Sequence, residues 1–304
     1  MNKKNKHILL VALGIISVAL IIALVPYTYK FHMTKLSSDP SDWGAFGSYL
    51  GGVIGAVFAS LSFVGLLVTV INQKQELKDN AKAQELQRFE DTFYSLLSMH
   101  NTSLSELKTR YENNNHFLHN LNTALDPKNS PKEALEEAQD EILNDIELSQ
   151  YFRILYQVLK FVCKSNTHNQ NRKFSLCYIN SKETLTDDEK MYASLVRSFV
   201  PVSFLPVLAI NCIPSYSGLN NLPLFHALIE RYEFLEHLRA DKLPDNLRTW
   251  AILDGYSYSF GKNTYTEEKC KNIVQHFQPQ YDEYLTEGSY LHTYNEKSLL
   301  EKTK

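Results

Sequence analysis

Two long uncharged apolar stretches lie near the start of the chain, and the residues after them are much more polar. The first stretch covers residues 8–26 and the second covers residues 45–71. At about 1.5 Å per helical residue they reach about 28 Å and about 40 Å, against a hydrocarbon core of about 30 Å. Each is therefore long enough to cross a membrane as a helix, the second with a tilt.

After residue 71 the pattern becomes that of an amphipathic helix, with no helix breaker in between. From Gln73 to Tyr111 there is neither proline nor glycine, and apolar side chains recur at spacings of three and four. This periodicity predicts one apolar face on a long helix. The face contains Leu86, Phe89, Phe93, Leu97, His100, Leu104, Leu107 and Tyr111. We predict that the second span continues into this helix.

Helical patterns also dominate the remainder of the chain. They predict helices over residues 116–125, 132–148, 151–163 and 222–238, and the 132–148 helix is strongly acidic on one face. Thr186-Asp187-Asp188-Glu189 is a capping box that opens a further helix. The apolar run over 200–213 is a candidate third span, but two prolines favour a buried core helix.

The expected fold is mainly α, with two N-terminal transmembrane helices followed by a helical cytoplasmic domain. The boundaries are an N-terminal segment 1–7, a first span 8–28, a periplasmic loop 29–44, a second span 45–71 and a cytoplasmic domain 72–304. A cleaved signal peptide is the alternative for the first stretch, but the apolar run is long and ends without a small-residue cleavage site.

The distribution of lysines predicts the orientation in the membrane. Basic residues are more numerous before the first span and after the second than in the loop, so both termini should be cytoplasmic. Tyr27, Tyr29 and Trp43 lie at the ends that face the loop, where aromatic side chains favour the membrane interface. We interpret them as interface anchors.

Charge and cysteine content narrow the class of protein. Residues 1–72 carry five lysines and two aspartates, a net charge of +3, so the total of −3 leaves −6 for residues 73–304. From this net charge we do not expect direct binding of nucleic acid, although an acidic average could conceal a local basic patch. The four cysteines show no zinc-type spacing, and we expect reduced structural thiols.

No sequence motif indicates catalysis. The chain contains no glycine-rich phosphate loop, no H-E-x-x-H and no G-x-S-x-G. His116 and His119 have a spacing that could share a metal, but no suitable third ligand accompanies them, so we expect surface histidines. The acidic run Asp187-Asp188-Glu189 is explained as a helix cap. We therefore expect no enzyme activity, no cofactor and no metal.

Two groups of residues are candidates for function. Gly47, Gly51, Gly55 and Ala59 recur every four positions and form a strip of small residues on the second span. Such strips favour close helix contact, either with the first span or between copies in a homo-oligomer. His100 lies on the apolar face beside Asn101, and its usual pKa of about 6.5 would permit switching; a hydrogen-bonded core histidine is the alternative.

Three blocks carry a resemblance to a known family. Residues 42–52 continue through an apolar helix to 70–77, and residues 89–101 and 151–161 follow in order. Together they resemble the phage abortive infection protein family, the AbiC-like group. The chain departs from that pattern at Ile54-Gly55, where related sequences commonly carry Asn-Pro, and after Arg197.

The resemblance implies a multi-pass protein of the bacterial inner membrane that acts as an effector of anti-phage defence. Its partners would be the lipid bilayer, further copies of itself, and an inhibitory partner such as the reverse transcriptase of a retron with its RNA. We expect it to harm or depolarise the membrane when triggered. A membrane-tethered hydrolase or nuclease, and a non-lethal signalling or scaffold subunit, are the alternatives.

Overall fold

The computed structural model describes residues 3–33, 35–113, 130–165, 169, 171–214 and 222–302, and the chain divides into two compact units, Met1–Gln87 and Arg88–Lys304. Regular structure within those ranges is helical, without a β-strand. The predicted mainly α fold is confirmed. The predicted helix over 116–125, with His116 and His119, lies outside the described residues.

The first unit contains α1 (Lys3–Phe31) and the N-terminal part of α2 (Pro40–Asn113). Windows of 18 residues in α1 and α2 reach mean hydropathies of 1.7 and 2.4, so both helices are long and apolar enough to cross a bilayer. The Tyr49 hydroxyl donates to the Ala23 carbonyl oxygen at 3.1 Å, and the rings of Tyr27 and Phe46 lie 4.6 Å apart. These contacts join the two helices.

Helix α2 is unbroken from Pro40 to Asn113, which confirms that the second apolar stretch continues into the following amphipathic helix. Proline is favourable in the first helical turn because its missing N–H has no intrahelical partner there. Asp42, also in the first turn, interacts favourably with the positive end of the helix dipole. Local sequence therefore explains the start of the helix.

The second unit begins with the C-terminal part of α2 and is built from short helices that share one hydrophobic core. In chain order they are α3 (Pro131–Asn144), α4 (Ile146–Ser165), α5 (Leu176–Asn180), α6 (Asp187–Phe199), α7 (Leu205–Cys212), α8 (Leu222–Arg231), α9 (Leu247–Asp254), α10 (Tyr265–Tyr281) and α11 (Tyr290–Lys302). Single 3₁₀ turns lie at Lys182–Thr184, Val202–Phe204, Ala240–Lys242 and Asp282–Tyr284.

The break between α3 and α4 differs from the predicted single helix over 132–148. Asp145 has an extended conformation, with φ −84° and ψ 101°. Its Oδ1 accepts a hydrogen bond from the Leu148 N–H at 3.0 Å, which satisfies a free donor in the first turn of α4. The acidic run therefore ends one helix and starts the next.

The apolar run over 200–213 forms α7 in the core of the second unit. All side chains from Leu205 to Ile210 are buried. The Gln139 amide donates to the carbonyl oxygens of Ile210 and Ile213, at 2.9 and 2.8 Å, at the end of α7. By length and composition alone, α6 and the segment Val202–Cys212 could form one further span bent by 93°. The burial of α7 by protein instead matches a core helix.

Candidate functional site

The predicted interface anchors lie in the first unit, and they do not all come together. Phe46 lies between Tyr27 and Trp43, with ring centroids 4.6 and 6.4 Å away. The Trp43 indole N–H also donates to the Ser37 carbonyl oxygen at 2.9 Å. Tyr29 is 81% exposed and its ring lies 6.3 Å from that of His32. Tyr27 and Trp43 thus share an aromatic cluster, which Tyr29 does not join.

The strip of small residues lies on an exposed face of α2. Gly47, Gly51, Gly55 and Ala59 are all exposed. A Cβ atom added at any of the three glycines would meet no atom within 4 Å among the described residues. Within the described part of α1, no atom contacts the glycines of this strip.

Helix α1 instead packs near a different face of α2. The half-buried positions of that segment include Phe46, Leu50, Val53 and Val57. At 3.6 residues per turn, the centre of these four positions is roughly 150° from the centre of the strip. The strip was predicted to contact either the first span or another copy of the chain. Among the described residues, the glycines of the strip make no contact with the first span.

His100 is the central residue of a buried seam between α2 and α4. We use the name His100 seam for His100, Asn101 and Tyr151. The His100 side chain has no exposed surface, and its Nε2 lies 3.0 Å from the Tyr151 hydroxyl, which is also buried. The His100 Nδ1 lies 3.1 Å from the Asn101 Oδ1. Because a carboxamide oxygen only accepts, Nδ1 carries the proton and Nε2 accepts from the Tyr151 hydroxyl.

The electrostatics of the seam favour the neutral imidazole. Burial lowers the pKa of His100, and the hydrogen bond with Asn101 partly opposes that shift. Burial raises the pKa of Tyr151 well above its usual range. At neutral pH the seam is therefore an uncharged hydrogen-bonded pair, and protonation of His100 would disrupt it.

A second buried network surrounds Arg231, and we call it the arginine clamp. Arg231 Nε donates to Glu189 Oε1 at 2.7 Å, and Nη2 donates to Glu189 Oε2 at 3.1 Å. The Tyr232 hydroxyl donates to the same Oε1 at 2.7 Å. The side chains of Glu189 and Arg231 are 0% and 2% exposed. A bidentate pair of this kind is the strongest geometry for arginine and carboxylate.

The same guanidinium also fixes the segment that follows α5. Arg231 Nη1 donates to the carbonyl oxygens of Ile179 and Ser181, at 2.8 and 3.0 Å. Its Nη2 donates to Thr184 Oγ1 at 3.1 Å. One side chain on α8 thus holds α5 and the turn after it against the core.

The pKa shifts around the clamp keep its proton donors protonated. Burial raises the pKa of Tyr232 well above its usual range, and the Glu189 charge adds to the rise. Burial likewise raises the pKa of the Cys163 thiol to about 11. Burial alone would lower the pKa of Arg231, but hydrogen bonds and charge from Glu189 outweigh it and the net shift is upward. The clamp is thus arranged for structural stability.

Sequence reasoning identified Glu189 only as a capping residue. The cap is present, because Thr186 Oγ1 accepts from the Glu189 N–H at 3.2 Å. The carboxylate, however, turns inward to Arg231. No local sequence signal pointed to Arg231, because its pairing with Glu189 spans 42 positions. Among the described residues, no group of three or more potential ligands could hold a metal ion.

Comparison with known families places the resemblance on the second unit. Residues 145–243 match the family model described as "Putative phage abortive infection protein". The match covers about a third of the chain and includes Tyr151 and the whole arginine clamp. It also continues past Arg197, where the sequence was expected to depart from the family pattern. The predicted resemblance is confirmed over this range. No curated protein and no solved structure matches the chain.

Proposed function

We propose that this chain is a membrane effector of phage defence, which damages or depolarises the bacterial inner membrane when it is triggered. The match over residues 145–243 supports a role in abortive infection. The two apolar helices of the first unit support a membrane location. The excess of basic residues before the first span and after the second supports cytoplasmic termini. The observation that carries the proposal is the exposed strip of small residues on α2.

The strip is the contact through which copies of the chain assemble. Helices in lipid associate by close packing, which small residues permit. Because α1 lies against a different face of α2, the strip at Gly47, Gly51 and Gly55 is open to a second copy. Neither apolar stretch carries an acidic or basic side chain, so a membrane lesion would arise from assembly.

The second unit controls this assembly. Helix α2 carries both the strip and the His100 seam on one continuous helix. A change in the packing of α4 against the seam would therefore act on the helix that carries the strip. An inhibitory partner, such as a reverse transcriptase with its RNA, would bind the second unit and hold the effector inactive until infection.

The test replaces Gly51 and Gly55 with leucine and measures toxicity and cross-linking in cells. Gly51→Leu with Gly55→Leu should abolish toxicity at unchanged expression, because the larger side chains separate the helices. Gly51→Ala with Gly55→Ala should retain it. A matched control is Ala56→Leu with Ser60→Leu, which adds similar bulk on another exposed face of α2.

The variant Gly51→Cys should also form a disulfide-linked dimer in membranes. The original cysteines all lie in the second unit, so none of them belongs to the strip. Full toxicity in the double leucine variant would contradict the role of the strip. Toxicity that survives this variant together with hydrolysis of nucleic acid or nucleotide by the purified chain would favour a membrane-tethered hydrolase. Harmless overexpression even during infection would favour a scaffold subunit.

A further inference from the structure

The charge of the second unit is unevenly distributed along the sequence. Residues 148–182 contain no aspartate or glutamate, and they contain six basic residues: Arg153, Lys160, Lys164, Arg172, Lys173 and Lys182. The preceding residues 133–147 contain seven acidic residues and no basic one. The acidic average of the chain therefore conceals a strongly basic segment.

On α4 the basic residues lie on a single face. Arg153, Gln157, Lys160 and Lys164 follow one another at spacings of four, three and four, so they share the face opposite the buried positions. Arg153 and Gln157 are exposed, whereas Lys160 and Lys164 are half-buried. From Arg153 to Lys164 the row extends about 16 Å along the helix axis.

The segment after α4 brings two more cations near the C-terminal end of this helix. Asn169 is buried and its amide donates to the Cys163 carbonyl oxygen at 3.2 Å and to the Lys173 carbonyl oxygen at 2.8 Å. The Lys173 N–H donates in return to Asn169 Oδ1 at 2.7 Å. These bonds fix Lys173 and its neighbour Arg172 near the end of α4. Both side chains are exposed.

Two aromatic rings lie beside the cations. The Lys160 ammonium is 5.3 Å from the centre of the Phe174 ring and 5.6 Å from that of the Tyr156 ring. The two rings are 6.4 Å apart and both side chains are half-buried. We call the five cations with Tyr156 and Phe174 the basic face. The ion pairs found within the described ranges include none of the five cations.

We propose that the basic face binds single-stranded nucleic acid. Unpaired cations in a row suit the regularly spaced phosphates of a strand, and binding gains free energy from the release of counterions. The two half-buried rings next to the cations offer their exposed parts as stacking surfaces for unpaired bases. A duplex keeps its bases paired and would not present them. The proposal does not depend on lethal action at the membrane.

A lipid surface suits the basic face less well. Helices that bind membranes laterally combine their cations with exposed apolar anchors. Between Arg153 and Lys164 there is no exposed large hydrophobic side chain. The remaining alternative is the acidic face of α3 on a second copy, whose charge is complementary. The experiment separates this alternative from nucleic acid.

The experiment measures binding of a labelled 20-nucleotide single-stranded RNA to the full chain in neutral detergent, by fluorescence anisotropy over a range of salt. With five phosphate contacts, a plot of the logarithm of the binding constant against the logarithm of the salt concentration should have a slope of about −3.5. The variant Arg153→Gln, Lys160→Gln, Lys164→Gln should reduce the slope by about 2 and the affinity about 100-fold at 0.1 M salt.

A matched control has the same change in charge at three exposed lysines elsewhere, Lys242→Gln, Lys262→Gln and Lys271→Gln. It should bind as the original chain does. Phe174→Ala should weaken binding about tenfold with an unchanged salt slope, because stacking does not release counterions. Phe174→Tyr should restore the affinity.

Absence of RNA binding at 50 mM salt would overturn the proposal, as would an equal loss in the control variant. The proposal would also fail if the Arg153, Lys160 and Lys164 variant kept its RNA affinity and lost self-association in sedimentation. None of these outcomes bears on depolarisation, so failure here is distinct from failure of the proposed effector activity.

Discussion

Arg231→Met is the substitution that most sharply tests how the second unit is held together. It removes the bidentate partner of Glu189, whose carboxylate is 0% exposed and keeps a hydrogen bond from the Tyr232 hydroxyl. The carbonyl oxygens of Ile179 and Ser181 each lose one donor as well, although Ser181 keeps the Thr184 hydroxyl. Removing one member of a buried ion pair costs about 3–5 kcal/mol because the other charge stays buried.

In a unit of this size, that loss corresponds to a fall of roughly 10 °C in the unfolding temperature. The assay is thermal unfolding of the full chain in detergent, followed by the fluorescence of Trp250, which is fully buried in the second unit. The double variant Glu189→Met with Arg231→Met should lose less stability than Arg231→Met alone, since it no longer buries the Glu189 charge without its arginine.

Arg239→Met is the matched control for this prediction. Arg239 pairs with Asp241 at 2.6 Å but is 42% exposed, so solvent screens the pair and the unfolding temperature should change little. If Arg231→Met unfolded within a degree of the original chain, or if the double variant were the least stable of the three, the assignment of the clamp as a structural core would be refuted.

The remaining predictions concern the His100 seam and the thiols. Tyr151→Phe should cost about 1–3 kcal/mol of unfolding free energy, because it leaves His100 Nε2 buried without a donor. Burial lowers the pKa of His100 in the folded state, so as pH falls the unfolded state takes up a proton on this imidazole at a higher pH than the folded state does. The free energy of unfolding should therefore decrease as pH drops below about 6.5. Denaturant titration at several pH values should show a smaller decrease in His100→Gln. Alkylation at pH 7.5 should modify the exposed Cys177 rapidly and spare Cys163, whose thiol is buried with a pKa of about 11; rapid loss of all four thiols in the folded chain would contradict this.

The parts of the fold that sequence reasoning predicted correctly depend on local information. The continuity of α2 follows from a run without proline or glycine and with apolar spacings of three and four. The cap at Thr186 likewise involves residues only three positions apart. Neighbouring residues alone specify both features.

The misplaced helix ends have causes that the pattern of apolar residues does not contain. The predicted helix over 222–238 ends at Arg231, because Glu233 adopts a left-handed conformation with φ 49°. The predicted helix over 132–148 breaks at Asp145, whose carboxylate caps α4. In each case one residue leaves the helical conformation although its neighbours favour helix.

The helices after Pro244 were missed because contacts distant in sequence hold them. The Asp254 carboxylate accepts from the Thr286 N–H, the Thr286 hydroxyl and the Ser289 hydroxyl, at 2.9–3.0 Å. In the candidate sites, too, local sequence predicted single positions but not the contacts between distant residues. Periodicity placed His100 on the seam, but its partner Tyr151 lies 51 positions away, and the pairing of Glu189 with Arg231 spans 42.

The central claim, that the chain harms the membrane when infection triggers it, is tested most directly by a membrane-potential dye. Cells that carry the chain, alone and during phage infection, would be followed beside cells that carry the Gly51→Leu, Gly55→Leu variant. We predict early dye entry with the original chain on infection, before phage-induced lysis, and no early entry with the variant. A membrane potential that stays intact while the chain still protects the culture would contradict the claim.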